Sequence, residues 1–272
     1  MSAVTYNKER GKHRAQWTGG LEAAIAVAED CHSRTRPSNS HWHGGDYHNA
    51  EWWGASSWPE AKQLLHAGHF PARMEKVQQT CALSLAGEPV QVCHSVQGSR
   101  VDMGRYLAGV PRCMLTWAAP LEPRQIRLIV PLGASASFSG IEARGAALCA
   151  LVDHLEQAGM QVEVIGQFAS NQQNGVGAKS PIQLELVAKR GGEPLAVKKL
   201  GAILATNAAG RILAFRATDA TCEGVPSSYG TPATYTGPNE YIASPDVKQC
   251  GNMDYLRKWV GEMAQQIVGG DK

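Results

Sequence analysis

The sequence predicts a single α/β domain with a mixed sheet, and three observations in residues 125–166 carry this prediction. Residues 125–132 form a short apolar run rich in β-branched side chains. Residues 141–159 place apolar side chains three and four positions apart, which is the spacing of one helix face, and end at a glycine. Residues 161–165 alternate between apolar and polar. A strand, a helix and a strand in this order predict a βαβ unit with two parallel strands.

Length and charge limit the classes of function that the chain can have. The 272 residues are enough for one large domain with a substantial core. A net charge of +2 is too small to predict a polyanionic partner, so a basic binding surface has to be local. The seven cysteines contain no CxxC pair, and we expect reduced thiols. The polar first residues predict no signal peptide, and no apolar run predicts a membrane span.

The first half of the chain gives clear signals for helices. Residues 1–20 are polar and basic, and we expect a flexible arm there. Ser57 can cap a helix, Glu60 completes a capping box, and Gly68 ends the helix. The other predicted elements are helices at 21–31 and 72–85, a hairpin of 89–96 with 100–106, and a strand at 113–117.

The second half continues the α/β pattern. Residues 218–252 are dense in Gly, Pro, Ser and Thr, so we expect a long loop. No repeat or break in composition divides residues 1–272, and no five-strand barrel pattern of an OB-fold occurs. The other predicted elements are strands at 182–188 and 211–215, a helix from 194 to 204, and a C-terminal helix at 253–268.

Two groups of basic residues are candidates for binding a polyanion. Between residues 189 and 216, six positive side chains stand against one acid. Cations bind phosphates, and exposed aromatic rings stack on unpaired bases. The alternatives are a solvated helix face for the first group, and core packing for the tryptophans near the second. The candidates are Lys189, Arg190, Lys198, Lys199 and Arg211 in the first group, and Lys12, Arg14, Arg34, Arg36, Trp42 and Tyr47 in the second.

A histidine-rich segment could bind a metal ion. His41, His43, Asp46 and His48 have the residue types and close spacing of ligands in metal-dependent hydrolases. The alternative is a polar loop whose histidines only stack or form hydrogen bonds. A catalytic site would also need a distant ligand and a base, and neither is evident. We therefore predict no metal and no cofactor, and a hydrolase is the third hypothesis for function.

The turn at residues 133–140 follows a strand and precedes a helix. It has neither the GxxxxGK[ST] pattern of a P-loop nor the GxSxG pattern of a nucleophile elbow. Ser135 and Ser137 resemble part of the DxSxS metal-site motif of von Willebrand factor A domains, but Gly133 occupies the aspartate position. A fold distantly related to that family is therefore one alternative. The second hypothesis for function is a degenerate von Willebrand factor A-like module that binds proteins.

Several stretches resemble one family of tailed-phage proteins, and the resemblance covers roughly residues 52–215. The stretches are EWWGASSWPEAKQLLHAGHF at 51–70, RVDMGRYLAGVPRCM at 100–114, the βαβ unit, and residues 182–215. The family is that of the Drc-type cofactors, found in podophages that carry a giant virion RNA polymerase. The resemblance implies binding to single-stranded DNA at unwound middle promoters, and recruitment of the phage RNA polymerase.

The first hypothesis is therefore a transcription cofactor without catalytic activity. Its expected partners are single-stranded DNA and a phage RNA polymerase, and its expected location is the host cytoplasm. The sequence predicts no membrane partner and does not determine an oligomeric state.

Overall fold

The structure, a computed structural model, describes residues 5–9, 12–30, 50–85, 92–95, 100–117, 124–132, 138–173, 179–221, 225–229 and 240–269. The helices are α1 (Leu21–Asp30), α2 (Ala50–Trp53), α3 (Trp58–Ala67), α4 (Ala72–Leu85), α5 (Met103–Leu107), α6 (Phe138–Gln157), α7 (Val197–Leu204), α8 (Ala214–Thr221) and α9 (Met253–Gly269). A π-helix at Ala208–Leu213 runs directly into α8. The strands are β1 (Thr5–Glu9), β2 (Lys12–Gly20), β3 (Val92–Ser95), β4 (Arg100–Val101), β5 (Met114–Trp117), β6 (Gln125–Pro131), β7 (Gln161–Gln173), β8 (Lys179–Lys189), β9 (Val225–Tyr229) and β10 (Glu240–Ile242).

Within the described residues, seven strands form one mixed sheet. Six of them follow the order β1-β2-β8-β7-β6-β10, and β9 pairs with the far end of β7. β6 runs parallel to β7 and to β10, and β2 runs parallel to β8, whereas β7 and β8 are antiparallel. Because α6 connects the parallel strands β6 and β7, the predicted βαβ unit is confirmed. The predicted α/β class with a mixed sheet is confirmed as well.

The side chains on one face of the sheet contribute to the main hydrophobic core. Leu128, Val164 and Leu186 lie on this face of the three central strands and are buried. α6 packs on β7, whereas α1, α7 and α8 pack on β8. Thirteen of the 20 residues of α6 are buried because α4, α7 and α9 pack around it. A helix surrounded in this way has apolar side chains on most of its circumference. The sheet and the helices therefore share one core.

The opposite face of the sheet carries a charged cluster beside the buried side chains of Ile129 and Ile165. Arg127 on β6 donates a hydrogen bond from Nε to Glu163 on β7 at 2.7 Å, and it also pairs with Glu240 on β10. Its NH2 group lies 3.9 Å from Glu185 on β8, and that carboxylate accepts a hydrogen bond from Thr18 at 3.1 Å. Three carboxylates on three strands therefore surround one guanidinium.

The predicted caps of α3 form with one difference in partner. The Ser57 side chain accepts a hydrogen bond from the Glu60 N–H at 3.4 Å, as the capping box requires. The Glu60 carboxylate accepts from the N–H of Ser56 at 2.8 Å, one residue earlier than expected. Gly68 ends the helix with φ of 82°, a backbone conformation that glycine adopts at little cost.

Several predicted elements are corrected by tertiary pairing. The arm predicted at 1–20 is wrong for 5–9 and 12–20, which form β1 and β2. β3 and β4 both pair with β5, so the predicted hairpin is wrong, and 103–107 is helical. The strand predicted at 211–215 lies in the π-helix and α8. The loop predicted at 218–252 contains β9 and β10. The helices predicted at 21–31, 72–85 and the C-terminus are confirmed.

The packing at Gly201 gives a test of this arrangement. A Cβ atom at position 201 would lie 1.9 Å from the carbonyl oxygen of His69, so backbone would have to move. We expect Gly201→Ala to lower the free energy of unfolding by about 3 kcal/mol. Gly261→Ala is the matched control in α9, where nothing lies within 4 Å. It should raise that free energy by about 0.5–1 kcal/mol. Equal effects of the two changes in chemical denaturation would contradict the close contact.

Candidate nucleic-acid interface

The first turn of α7 presents Lys198 and Lys199, and both residues are exposed. Neither lysine forms an ion pair within the part of the chain that the structure describes. Ala196 occupies the N-cap position and provides no side-chain hydrogen bond to the first N–H groups of the helix. The start of α7 therefore combines two unpaired cations with the partial positive charge of a helix N-terminus.

A cleft of about 480 Å³ opens beside these lysines. Residues 20–22, where β2 ends and α1 begins, form one wall, and residues 65–68 at the end of α3 form another. Ala196, Lys198 and Lys199 complete the lining. Because α1 also begins here, two helix N-termini border the same cleft. Helix N-termini attract anions through their exposed N–H groups, and the two lysines add full charges.

The residue that fixes the start of α7 is His69, in the link between α3 and α4. Its N–H donates a hydrogen bond to the carbonyl oxygen of Lys198 at 3.0 Å, and its own carbonyl group packs against Gly201. Its ring Nε2 lies 2.7 Å from Oε1 of Glu142, a buried carboxylate on α6. His69 thus holds α7 through the main chain and α6 through the side chain. The position of Lys198 follows from these contacts.

An acid in the cleft opposes anion binding. Glu22 lies in the first turn of α1, and its Oε1 is 3.1 Å from Nδ1 of His66. Both side chains are largely exposed, so this pair contributes little to stability. The two lysines and Glu22 together contribute a formal charge of +1 to the cleft. The electrostatic attraction for a phosphate is therefore reduced by Glu22.

The structure does not bring Arg190 into this cleft. Arg190 is exposed and lines a separate cleft of about 420 Å³ together with Arg127 and Glu163. Arg127 is already surrounded by Glu163, Glu185 and Glu240 on the sheet. Because Arg127 is already paired with these carboxylates, it is not available to a phosphate in this cleft.

The structure corrects the prediction that Lys189 binds DNA. Its side chain is 3 % exposed, and its ammonium group lies 2.5 Å from Glu156 on α6. The same group donates hydrogen bonds to the carbonyl oxygens of Val162 and Arg190, both at 3.1 Å. These partners use all three donors of the ammonium group. Lys189 therefore stabilises the packing of β8 against α6, and its ammonium group is not available to bind a phosphate.

Arg211 is the second correction. It lies in the π-helix, is buried, and donates a hydrogen bond to the carbonyl oxygen of Trp52. Its guanidinium group stacks over the Trp52 ring at 4.1 Å from the ring centroid. Burial lowers the pKa of Arg211 to about 10, and the group stays charged at neutral pH. Arg216 is also buried and stacks on Trp58 at 4.7 Å. Both arginines serve internal packing.

The second basic group is only partly described. Lys12 and Arg14 lie in β2, inside the sheet order, so they are not on a free arm. The other four residues of the group, and the whole histidine cluster, fall outside the described residues, and their roles stay predictions. They are Arg34, Arg36, Trp42 and Tyr47, and His41, His43, Asp46 and His48. The Gly133 turn up to Ser137 lies outside the described residues as well.

Within the described residues, no group of three His, Cys, Asp or Glu side chains is placed to bind a metal ion. Cys81, Cys113, Cys149 and Cys250 are free thiols, in agreement with the prediction for these positions. Burial raises the pKa of Cys149 to about 12 and that of Cys81 to about 11. These two thiols are therefore protonated at neutral pH and are poor nucleophiles. In the same described ranges, no helix has the length and apolar character needed to cross a membrane.

Sequence reasoning missed the contribution of α1 to the cleft. Gly19 and Gly20 precede the helix, and a glycine pair between a strand and a helix would have been a usable signal. The pair was overlooked because residues 1–20 were interpreted as an arm. The roles of His66 and His69 had no local signal, because each depends on residues far away in the chain.

The fold and the cleft define an α/β protein with a small cleft lined by Lys198 and Lys199, and with a cluster of carboxylates around Arg127 on the sheet. Residues 6–255 match the family described as a domain of unknown function (DUF7192), and the chain belongs to this family. Comparisons with curated proteins and with solved structures find no match.

The burial of Lys189 leads to a prediction that separates stability from binding. Lys189→Met leaves Glu156 without its cation, so we expect the free energy of unfolding to fall by about 2 kcal/mol. Adding Glu156→Gln should recover part of this loss. Anisotropy of a labelled single-stranded oligonucleotide, measured well below the unfolding temperature, should not change. If Lys189→Met binds the oligonucleotide more weakly while its stability is unchanged, Lys189 contacts the DNA.

Proposed function

We propose that this protein binds single-stranded DNA without catalysing a reaction, and that Lys198 and Lys199 hold the DNA backbone. The observation that carries the proposal is that the N-termini of α1 and α7 and two exposed lysines border one cleft. Phosphates are the ligands that such a combination favours. A cleft of about 480 Å³ is the size of a site for a small molecule, so it can admit a short segment of a DNA backbone.

The proposal extends to transcription through the resemblance to the Drc-type cofactors. In this proposal the protein binds locally unwound promoter DNA in the host cytoplasm and recruits a phage RNA polymerase. Trp42 and Tyr47 supply base stacking, with Arg34 and Arg36 on neighbouring phosphates. The stacking explains a preference for single strands, because bases in a duplex are already stacked on one another.

Charge reversal at the start of α7 tests the proposal directly. We expect Lys198→Glu with Lys199→Glu to weaken binding of a labelled single-stranded oligonucleotide at least about tenfold at low salt. The slope of log affinity against log salt should shrink by about 1.4, which is about 0.7 for each lost phosphate contact. Titrations by fluorescence anisotropy at several salt concentrations measure both quantities. The matching duplex should bind more weakly than the single strand.

The controls are Lys76→Glu on α4 and Lys258→Glu on α9, two exposed lysines away from the cleft lining. Their combination changes the net charge by the same amount, so it reports the effect of total charge. If this control weakens binding as much as the change at Lys198 and Lys199, the cleft is not the site. If the unaltered protein binds no DNA at low salt, the proposed function is wrong.

The acid in the cleft gives a prediction of opposite sign. Glu22→Gln removes the negative charge but keeps the shape of the side chain, so we expect binding of the single strand to strengthen about two- to fivefold at low salt. The gain should disappear at high salt because exposed charges are screened. The same anisotropy titration measures the effect. Weaker binding by Glu22→Gln would place the DNA outside this cleft.

A further inference from the structure

The surface around α5 exposes large apolar side chains next to one another. Leu107 is 79 % exposed, Tyr106 61 %, Met103 58 % and Val101 38 %. None of the residues of α5 is buried. Three of these four residues lie within one short helix, and Val101 ends the strand just before it. Soluble proteins rarely expose such side chains side by side, and contiguous apolar patches indicate interaction sites.

Hydrogen bonds hold the backbone of this segment in place although its side chains are exposed. The side chain of Asp102 caps α5 by accepting a hydrogen bond from the Arg105 N–H at 3.2 Å. The Asp102 N–H donates to the carbonyl oxygen of Cys113 at 2.7 Å. β4 pairs with the central strand β5 of the small sheet. The apolar side chains therefore project from a fixed support, which lowers the entropy cost of binding.

The charges of the patch are positive. Arg112 is exposed and Arg105 is half-buried, and neither forms an ion pair among the residues that the structure describes. The nearby acid, Asp102, is engaged in capping α5. A partner that complements this surface carries carboxylates around an apolar stripe, because opposite charges steer the encounter and fix the register.

The side chains favour a protein over a nucleic acid as the occupant. Leu107, Met103 and Val101 are flexible or aliphatic and have no flat ring on which a base can stack. Tyr106 alone offers such a face. Leucine and methionine side chains are instead typical of surfaces that receive an amphipathic peptide or helix.

We infer that Val101, Met103, Tyr106 and Leu107, flanked by Arg105 and Arg112, form a docking surface for an acidic, amphipathic segment of a partner protein. This surface is distinct from the lysine cleft, which has none of these residues in its lining. Docking at α5 does not require DNA binding, so each proposal can fail without the other.

A pair of synthetic peptides tests the inference with the full chain. The first peptide has leucines along one helical face and glutamates on the other, and the second replaces each glutamate by lysine. We expect the acidic peptide to bind at least about tenfold more tightly than the basic one at low salt. Leu107→Asp should weaken the acidic peptide about tenfold. Arg105→Glu with Arg112→Glu should reverse the preference.

Leu83→Asp is the matched control, since Leu83 on α4 is 77 % exposed and lies outside the patch. It should leave peptide binding unchanged, and thermal unfolding should show that both variants are folded. Equal binding of the acidic peptide by the Leu107→Asp and unaltered proteins would overturn the inference, as would no binding at all. Loss of single-stranded DNA binding in Leu107→Asp would make the occupant a nucleic acid. A dimer seen by light scattering and abolished by Leu107→Asp would make it a second copy of the chain.

Discussion

The contacts of His69 determine where the basic cleft lies. Its N–H bonds to Lys198, its carbonyl group packs on Gly201, and its ring reaches Glu142. Gly68 precedes it, and a Cβ there would lie 2.8 Å from the Cβ of Lys198. Only glycines at 68 and 201 allow the chain to approach α7 this closely. The two lysines therefore take their position from a backbone contact and not from their own side chains.

Local signals predicted part of this structure well. The βαβ unit, the caps of α3 and the helix at the C-terminus depend on periodicity and capping residues, which are visible within a few turns of chain. Lys198 and Lys199 were selected from the local excess of positive charge, and both are exposed. The burial of Lys189 could not be predicted from local sequence, because its partner Glu156 lies on α6 and the carbonyl group of Val162 lies on another strand. Arg211 is buried for a comparable reason, since Trp52 is 159 residues away.

Pairing partners were the least predictable feature. β2 contains Lys12, His13, Arg14 and Gln16, with no apolar alternation to reveal a strand. It is a strand because β8 offers a parallel partner across Ala15–Gly20. β-propensity describes how well a residue fits its neighbours in a sheet, so a polar segment can be a strand when those neighbours are supplied. β5 likewise separates β3 from β4, although the two outer strands are closer in sequence.

The parallel pairing of β2 with β8 has a consequence for synthesis of the chain. Thr18 and Glu185 are in contact but stand 167 residues apart. At about 5–20 residues per second, the ribosome needs roughly ten to thirty seconds to make the intervening segment. During this interval β2 lacks its partner, and an unpaired strand edge is a template for aggregation. The segment that waits for β8 is Ala15–Gly20, and the charges of Lys12 and Arg14 immediately precede it. Charges that flank an exposed strand edge discourage such contacts, so the composition that hides this strand from prediction also protects the nascent chain.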